Sequence, residues 1–552
     1  MKKMFLLFLA LCMMLSFAGC VQPPVDTSPS TEPAAMDLSG KYILDVDRNE
    51  AIINDAGVIS TENEGNARVF YQIFVGSFSD SNGDGIGDLR GIINRFDYLN
   101  DGDPDSGLSL GIEGIWLSPI LVSPSYHKYD VADYYQVDPK FGTEDDLKEL
   151  ITLCHERGVK LIMDFVINHT ATSHVWFKEF LSAHNKGDTG NQYYDYYSWA
   201  EAPESGKSFY KAGISGHYYE GNFSSSMPEL NYDNEVVRQE MVKAAKYYLD
   251  MGMDGFRFDA AKYIYFGDDT RSADFWVWYM NELRTIKPDM YAVAEVWSSD
   301  GATYPYFTSV NCFNFSMAQS GGHICNTAKG GSVSAFTTYV DQYLDSIHEK
   351  NPNAMLCTFI ANHDTDRAAG FLQVGFGHAH VAANLSILTP GSPFIYYGEE
   401  IGMLGSRGSA NTDANRRLGM LWGDGDTVKD PEGTNYGGTQ ANGTVLDQLP
   451  DGNSLYNHYK KLIMIRKANP EIAYGDFEPL IIEGSDVGGF LSTYEGSSVA
   501  VFHNTTTESV VIDLTQFSSV SLTQIQAYAG MGTASLDGTN LTLDGQTSVV
   551  LK

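Results

Sequence analysis

From residue 69 onward, short apolar strand-like runs alternate with stretches in which apolar side chains recur every three or four positions. The runs cover residues 69–75, 114–117, 160–166, 255–258, 291–294, 312–315, 356–360 and 394–397. The stretches between them read as amphipathic helices. Thr143 caps one over residues 144–157, which places Leu147, Leu150, Ile151 and Cys154 on one face and meets Gly158 at its end. Asn234 caps a second, with Val237, Met241, Ala244 and Tyr248 inward, and Ser454 begins a third, with Leu455, Tyr459, Leu462 and Ile463 inward. Eight strands separated by helices predict an α/β fold, a (β/α)8 barrel.

Two regions break the alternation. Residues 169–232 are rich in Tyr, Gly, Ser and Asn and too long for an ordinary strand-to-helix loop. After Pro470 the pattern changes to short alternating stretches, 490–494, 499–503 and 510–514, which predict an all-β C-terminal domain. A chain of 552 residues is expected to form two or three domains.

The chain begins Met1-Lys2-Lys3 and continues in an apolar stretch to Phe17, the form of a secretory signal. Phe17-Ala18-Gly19-Cys20 is similar to a bacterial lipoprotein box, with Phe17 in place of the usual Leu. Lipidation at Cys20 is therefore expected, with the Pro-, Ser- and Thr-rich residues 21–35 as an extended tether. Each buried methylene of an acyl chain contributes about 0.8 kcal/mol, so several chains anchor stably. The expected product is an exported, membrane-anchored lipoprotein. Beyond the signal and Cys20, Cys154 and Cys357 read as buried thiols, and Cys312 and Cys325 are the only pair close enough in sequence to suggest a bridge.

Composition narrows the partners. With 36 basic and 70 acidic residues the net charge is −34, which argues against nucleic acid and leaves a neutral polymer acceptable. No protein partner is expected. Aromatic residues make up 12% of the chain, and aromatic faces suit the apolar faces of sugar rings.

Three carboxylates stand at the ends of strand-like runs: Asp259 in Gly255-Phe256-Arg257-Phe258-Asp259, Glu295 in Ala292-Val293-Ala294-Glu295-Val296-Trp297, and Asp364 in Ala361-Asn362-His363-Asp364. A fourth motif, Asp164-Phe165-Val166-Ile167-Asn168-His169, precedes them. Barrel strand ends converge on one face, so distance in sequence does not keep these groups apart. Breaking a glycosidic bond needs one carboxylate at the sugar carbon and one carboxylic acid at the leaving oxygen. Arg257, two residues before Asp259 on a strand, shares its face and is expected to favour the ionised form of Asp259. Val293, Val296 and Trp297 surround Glu295 with apolar groups that favour a protonated acid.

These motifs, in this order, resemble the α-amylase family of glycoside hydrolases from about Phe70 to the end of the chain. The resemblance implies that Asp259 is the nucleophile, Glu295 the acid/base, and Asp364 a binder of sugar hydroxyls through ring distortion. It implies a retaining mechanism, with the two catalytic carboxyls about 5–5.5 Å apart. His127 and Tyr129 of His127-Lys128-Tyr129-Asp130 would border the same sugar, and His169, Arg257, Lys262 and His363 would complete the substrate site. Residues 169–232 look like the small domain that protrudes from the family's barrel after the third strand, with Met227-Pro228-Glu229-Leu230-Asn231 at its edge. The implied organisation is signal 1–19, anchor and tether 20–37, barrel 38–168 and 233–472, inserted domain 169–232, and a C-terminal β-sandwich over 473–552.

Asp80-Ser81-Asn82-Gly83-Asp84-Gly85-Ile86-Gly87-Asp88 places oxygen side chains at alternate positions of a Gly-rich turn, a pattern that can wrap calcium. By the resemblance the ligands are Asp80, Asn82, Asp84, the carbonyl of Ile86, and Asp88. A second calcium site involving Asn168 stays open, because Tyr263 stands where a His is common. The expected activity is endo-hydrolysis of α-1,4 bonds in starch-like α-glucans. The alternatives are an α-glucosidase, oligo-1,6-glucosidase, neopullulanase or cyclomaltodextrinase, and, in a different class, a non-catalytic glycan-binding protein.

Overall fold

The structure, a computed structural model, describes residues 66–552 apart from 105, 374, 376, 518 and 519. The signal-type segment, Cys20, the tether and the first part of the 38–168 barrel segment, up to residue 65, lie outside the described residues.

Eight short strands form one parallel sheet: β1 Phe70–Ile73, β2 Gly114–Leu117, β3 Lys160–Phe165, β4 Gly255–Phe258, β5 Tyr291–Ala294, β6 Asn311–Cys312, β7 Cys357–Phe359 and β8 Ser392–Tyr396. Their order is β6-β5-β4-β3-β2-β1-β8-β7. A parallel bridge between Phe313 and Cys357 joins the two ends, and Asn314 N donates to Cys357 O at 2.9 Å. The sheet closes on itself as a barrel. β6 is shorter than the sequence run suggests because Asn314 turns the chain, its side-chain oxygen accepting from Met317 N at 2.9 Å.

The lumen is a packed core of Phe70, Trp116, Ile162, Tyr291, Val293, Phe313, Phe359 and Phe394. Phe70 stacks on Phe394 with centroids 4.8 Å apart. Its ring also explains Gly114, where a Cβ would lie 2.4 Å from Phe70. Outside the strands run the amphipathic helices. Glu144–Glu156 starts with a capping box between Thr143 and Asp146 and buries Leu147, Leu150, Ile151 and Cys154. Glu235–Met251 is capped by Asn234 and ends at Gly252 with φ +114°.

Between β3 and β4 the chain builds a small three-stranded sheet, Trp199–Ala200, Phe209–Lys211 and Tyr218–Glu220. Phe177, Phe180, Tyr197 and Tyr219 pack edge to face beside it. Bridges from His169 to Glu229 and from Tyr197 to Leu230 fasten this segment to the barrel rim.

The C-terminal part holds a five-stranded antiparallel sheet (Asp476–Leu480, Gly488–Tyr494, Ser497–Asn504, Thr547–Leu551, Ile525–Gly530) and a three-stranded one. Strand alternation divides the larger sheet. Phe490, Val499, Val501 and Val550 join the barrel's core, while Leu491, Ala500, Phe502 and Val549 face Ile512, Leu541 and Leu543 of the smaller sheet. Cys154, Cys312, Cys325 and Cys357 are free, buried thiols, so the sequence pair Cys312 and Cys325 is not bridged. No helix among the described residues is long and apolar enough to cross a membrane.

Candidate active site

The strand ends bring Asp164, Asp259, Glu295 and Asp364 to one face of the barrel, around a cleft of about 900 Å³. Its lining includes His127, Tyr129, His169, Asp259, Lys262, Glu295 and Asp364. Immediately after Asp259, Ala260 adopts φ +50°, a left-handed conformation unusual for a residue with a Cβ. The turn points the Ala260 N–H at Glu295, whose Oε2 accepts it at 3.0 Å. One strained peptide thus links the two proposed catalytic loops.

Arg257, fully buried, is the centre of the network. Its Nη1 donates to Asp164 Oδ1 at 2.7 Å and to Asp259 Oδ1 at 2.8 Å. Its Nη2 lies 3.1 Å from Glu295 Oε2, an ion pair out of hydrogen-bond alignment. Burial raises the pKa of Asp259 despite the opposing charge and hydrogen bond of Arg257, and Asp364 adds to the rise. Arg257 does favour the ionised form of Asp259, as expected, but desolvation outweighs it. Glu295 is also raised, first by burial and then by Asp259 and Asp364, with Arg257 opposing. Of the two, Asp259 has the aligned Arg257 bond, so a single shared proton belongs on Glu295.

Asp364 differs. Burial works against its charge, yet His363 and Arg417 hold its carboxyl well below the usual range. Arg417 Nη2 donates to Asp364 Oδ1 at 2.7 Å and its Nε to the His363 carbonyl at 3.0 Å. Asp364 is therefore the fixed anion of the site.

Asp164 accepts from Trp116 Nε1 at 3.2 Å, Tyr129 Oη at 2.9 Å and Arg257. Burial pushes it up to about 7. It lies beneath Tyr129 and fixes both that ring and Arg257.

The histidines divide into two groups. His127 Nδ1 accepts the Tyr129 N–H at 3.1 Å, which leaves the proton on Nε2. Burial lowers His127 to about 4, so it is a neutral donor at the cleft. His169 is likewise held to about 4 by burial, and its Nε2 has no hydrogen-bond partner among the described residues. His363 is different from its sequence assignment. It is fully buried, with Gln72 Nε2 at 2.7 Å from Nδ1, and Tyr129 Oη and Asp364 Oδ2 at 2.5 and 2.9 Å from Nε2. Both ring nitrogens are occupied, so His363 positions Asp364 and Tyr129 rather than meeting sugar. Arg257, also expected at the substrate, is fully buried in the same way and acts through the carboxylates. Lys262 does reach the cleft, its Nζ donating to Trp297 O at 2.7 Å.

The sequence reading missed Arg417 and Arg416, which come from the loop after β8, and Phe223 from the inserted segment. Nothing local marks them, since Asn415-Arg416-Arg417 reads as polar loop. Asp164 was legible at a strand end but was given no role.

The Asp80 to Asp88 loop lies apart from these groups. Asp80 Oδ1 accepts from Asn82 N and Gly83 N, and its Oδ2 from Gly85 N and Thr427 Oγ1. Asn82 and Asp84 accept from the backbone two residues on. Asp88 Oδ1 caps the helix Leu89–Asn94 through Gly91 N at 2.6 Å, and its Oδ2 accepts from Ser81. The donor set is all oxygen, as a hard cation requires, and carboxylate oxygens have lone pairs beyond the N–H groups they accept. Among the described residues no three His, Cys, Asp or Glu side chains are placed so that they could hold a metal ion, so an ion would have to draw these groups inward.

The family model described as alpha amylase, catalytic domain, matches residues 72–475. The chain is similar to Alpha-amylase 3 of Dictyoglomus thermophilum, with 36% identity over 443 residues, 79% of this chain and 84% of that protein. It is similar to a 4-alpha-glucanotransferase of Thermotoga maritima, with 31% identity over 465 residues, 80% of this chain and 97% of that one. Among solved structures, Eubacterium rectale Amy13B superposes with a TM-score of 0.82 at 32% identity, covering 92% of this chain and 97% of that chain.

Proposed function

Because the chain belongs to the α-amylase family of glycoside hydrolases, we propose that it is a retaining enzyme cleaving internal α-1,4 bonds of starch and malto-oligosaccharides. The observation that carries the chemistry is the sharing of buried Arg257 by Asp259 and Glu295, which leaves one nucleophilic carboxylate and one acid side by side. Asp259 attacks C1 of the sugar while Glu295 protonates the leaving oxygen. Water, deprotonated by Glu295, then releases the sugar from Asp259. Asp364, held ionised by Arg417, and the neutral His127 and His169 bind hydroxyls and favour the distorted ring. An early product of inverted anomeric configuration, seen by NMR, would refute this mechanism.

Endo-action is supported by the Glu295 side of the cleft, where Phe223 and Trp297 stand open rather than closing a pocket. A second reading, cleavage at the ends of short α-glucans, is favoured by the loop near Asp364. There Arg407 and Arg416 pair with Asp413, and Arg416 also with Asp366, to form a charged wall at the cleft. Incubation with soluble starch, pullulan, cyclodextrins, isomaltose and maltotriose separates the two. Mixed malto-oligosaccharides with a fast fall in iodine staining support endo-action. Glucose as sole early product, or preference for isomaltose or cyclodextrin, supports the second.

Two further parts belong to this proposal. Calcium in the Asp80 to Asp88 loop would be held by Asp80, Asn82, Asp84, the Ile86 carbonyl and Asp88, with a structural role. Export and lipidation at Cys20 would tether the enzyme beside polymers too large to cross the envelope. Cys20→Ser should release the protein from membranes with the activity of the soluble part intact, and unchanged membrane association would contradict lipidation.

A further inference from the structure

Next to the cleft is a second recess of about 380 Å³, the size of a small-ligand site. Gln319 and Arg416 line both spaces and form the partition between them. The loops after three successive barrel strands build the recess. Gln319 and Ser320 come after β6, Asp366, Arg367 and Phe371 after β7, and Tyr436 after β8.

Several of its polar groups are uncommitted. Among the described residues, the Gln319 amide and the hydroxyls of Ser320 and Tyr436 make no hydrogen bond. Gln319 is held at φ +69°, costly for a residue with a Cβ, while its N–H donates to Ile360 O at 2.9 Å. Arg367 is buried in the same wall. Its Nη1 donates to Tyr397 O at 2.7 Å, and its guanidinium lies 4.6 Å from the ring centroids of Tyr396 and Tyr397. Its Nε and Nη2 have no hydrogen-bond partner among the described residues. Buried donors left empty are costly, so this wall is suited to meet oxygen atoms.

The charges of the wall decide which kind of ligand fits. Arg416 is already paired, its Nε with Asp366 Oδ1 at 2.9 Å and its Nη1 with Asp413 Oδ1 at 2.7 Å. The Asp366 carboxylate in the wall, and a net charge of −34, oppose an anion. Phe371 and Tyr436 are half-buried, packed on the barrel core from behind, and line the recess. Aromatic rings for an apolar face, with amide, hydroxyl and guanidinium donors for its edge, match a neutral pyranose.

We propose that this recess is a second, non-catalytic site for a glucosyl unit of an α-glucan, across the partition of Gln319 and Arg416 from the cleft. The proposal rests on the α-glucan reading above and adds a preference for polymers. A long chain held in the recess keeps its remaining units at high effective concentration beside Asp259 and Glu295. A trisaccharide seated in the cleft has no length left to reach it. No bond is made or broken in the recess.

The test compares kcat/KM on soluble starch and on maltotriose, both read from one preparation, so that a partly folded sample does not imitate the effect. In Tyr436→Ala the ratio of starch to maltotriose should fall about tenfold, through KM rather than kcat. Tyr436→Phe keeps the ring and should retain most of the ratio. Phe371→Ala, from a different loop, should lower it in the same direction. Crystals of Glu295→Gln grown with maltotriose should show a glucosyl ring bonded to Gln319 in the recess as well as sugar in the cleft. An unchanged ratio in both alanine variants, or a recess empty while the cleft is filled, overturns the second site and leaves the glycosidase reading standing. A filled recess with an unchanged ratio marks binding at crystal concentration only and overturns it as well. Failure of the wild type to cleave any α-glucan overturns both readings.

Discussion

Arg257 shows how one residue divides labour among several carboxylates. Removing it from water makes its charge costly unless it is paired, and three acids supply the pairing. Asp259→Asn and Glu295→Gln should each lower kcat at least about 10³-fold on starch while circular dichroism stays that of the wild type. Near wild-type turnover would remove that residue from its role. The pH profile follows from the same burial. Asp259 must be ionised, so activity rises with pH through its raised pKa, and Glu295 must be protonated, so activity falls through its own. The acid limb of kcat/KM should therefore lie above the range of an ordinary Asp. Glu229 offers a stability test. Burial, then Glu220, raises it to about 7, so the folded state keeps a proton that the unfolded chain releases. Its stabilising share is full below the ordinary Glu value and is lost as pH rises through about 7. Glu229→Gln should raise stability by on the order of 1–3 kcal/mol at about pH 8 and little at about pH 5. Equal effects at both pH values would contradict the buried acid.

Among the elements, the Asp80 to Asp88 loop follows the first strand but stands outside the catalytic cluster. Thr427 bonds to Asp80, and Asp426 accepts from Ser79 and Arg95, so the loop ties distant segments together. Asp84→Ala is expected to lower Tm in calcium more than it changes kcat. Chelation should lower the Tm of the wild type toward that of the variant. A wild-type Tm indifferent to calcium and chelator would leave the loop as a turn alone. The inserted segment shows the opposite relation between element and site: its strands are remote from the chemistry, yet their folding places Phe223 against His169 in the cleft.

For the whole molecule, the C-terminal sheet is part of the barrel's core rather than an appendage. Asn384, fully buried, donates to Ala529 O at 3.0 Å and Ser548 Oγ at 2.8 Å, and Val333 N donates to Asp486 O at 2.9 Å. Phe490, Val499, Val501 and Val550 bury their side chains in the same cluster. At about 1.5–3 kcal/mol each, those four alone approach the net stability of a typical domain. Truncation after residue 475 should therefore give aggregated or unfolded protein. A soluble, cooperatively melting, active fragment would show that the barrel stands alone.

The apolar runs and caps by themselves determined eight strands and the helices between them, because burial and capping act through neighbours in sequence. Asp259, Glu295 and Asp364 were legible for the same reason: barrel strands end on one face wherever they occur in the chain. Only the tertiary structure decided what surrounds those ends. His363 and Arg257 became buried supports because Gln72 and Asp164 arrive from other strands, and Tyr129 from a loop, to occupy their polar atoms. Arg417 and Phe223 reach the site from a distant loop and from the inserted segment, and no local pattern records that approach. Proton placement was decided last, since desolvation depends on every element packed around the carboxylates and not on the residue two places before.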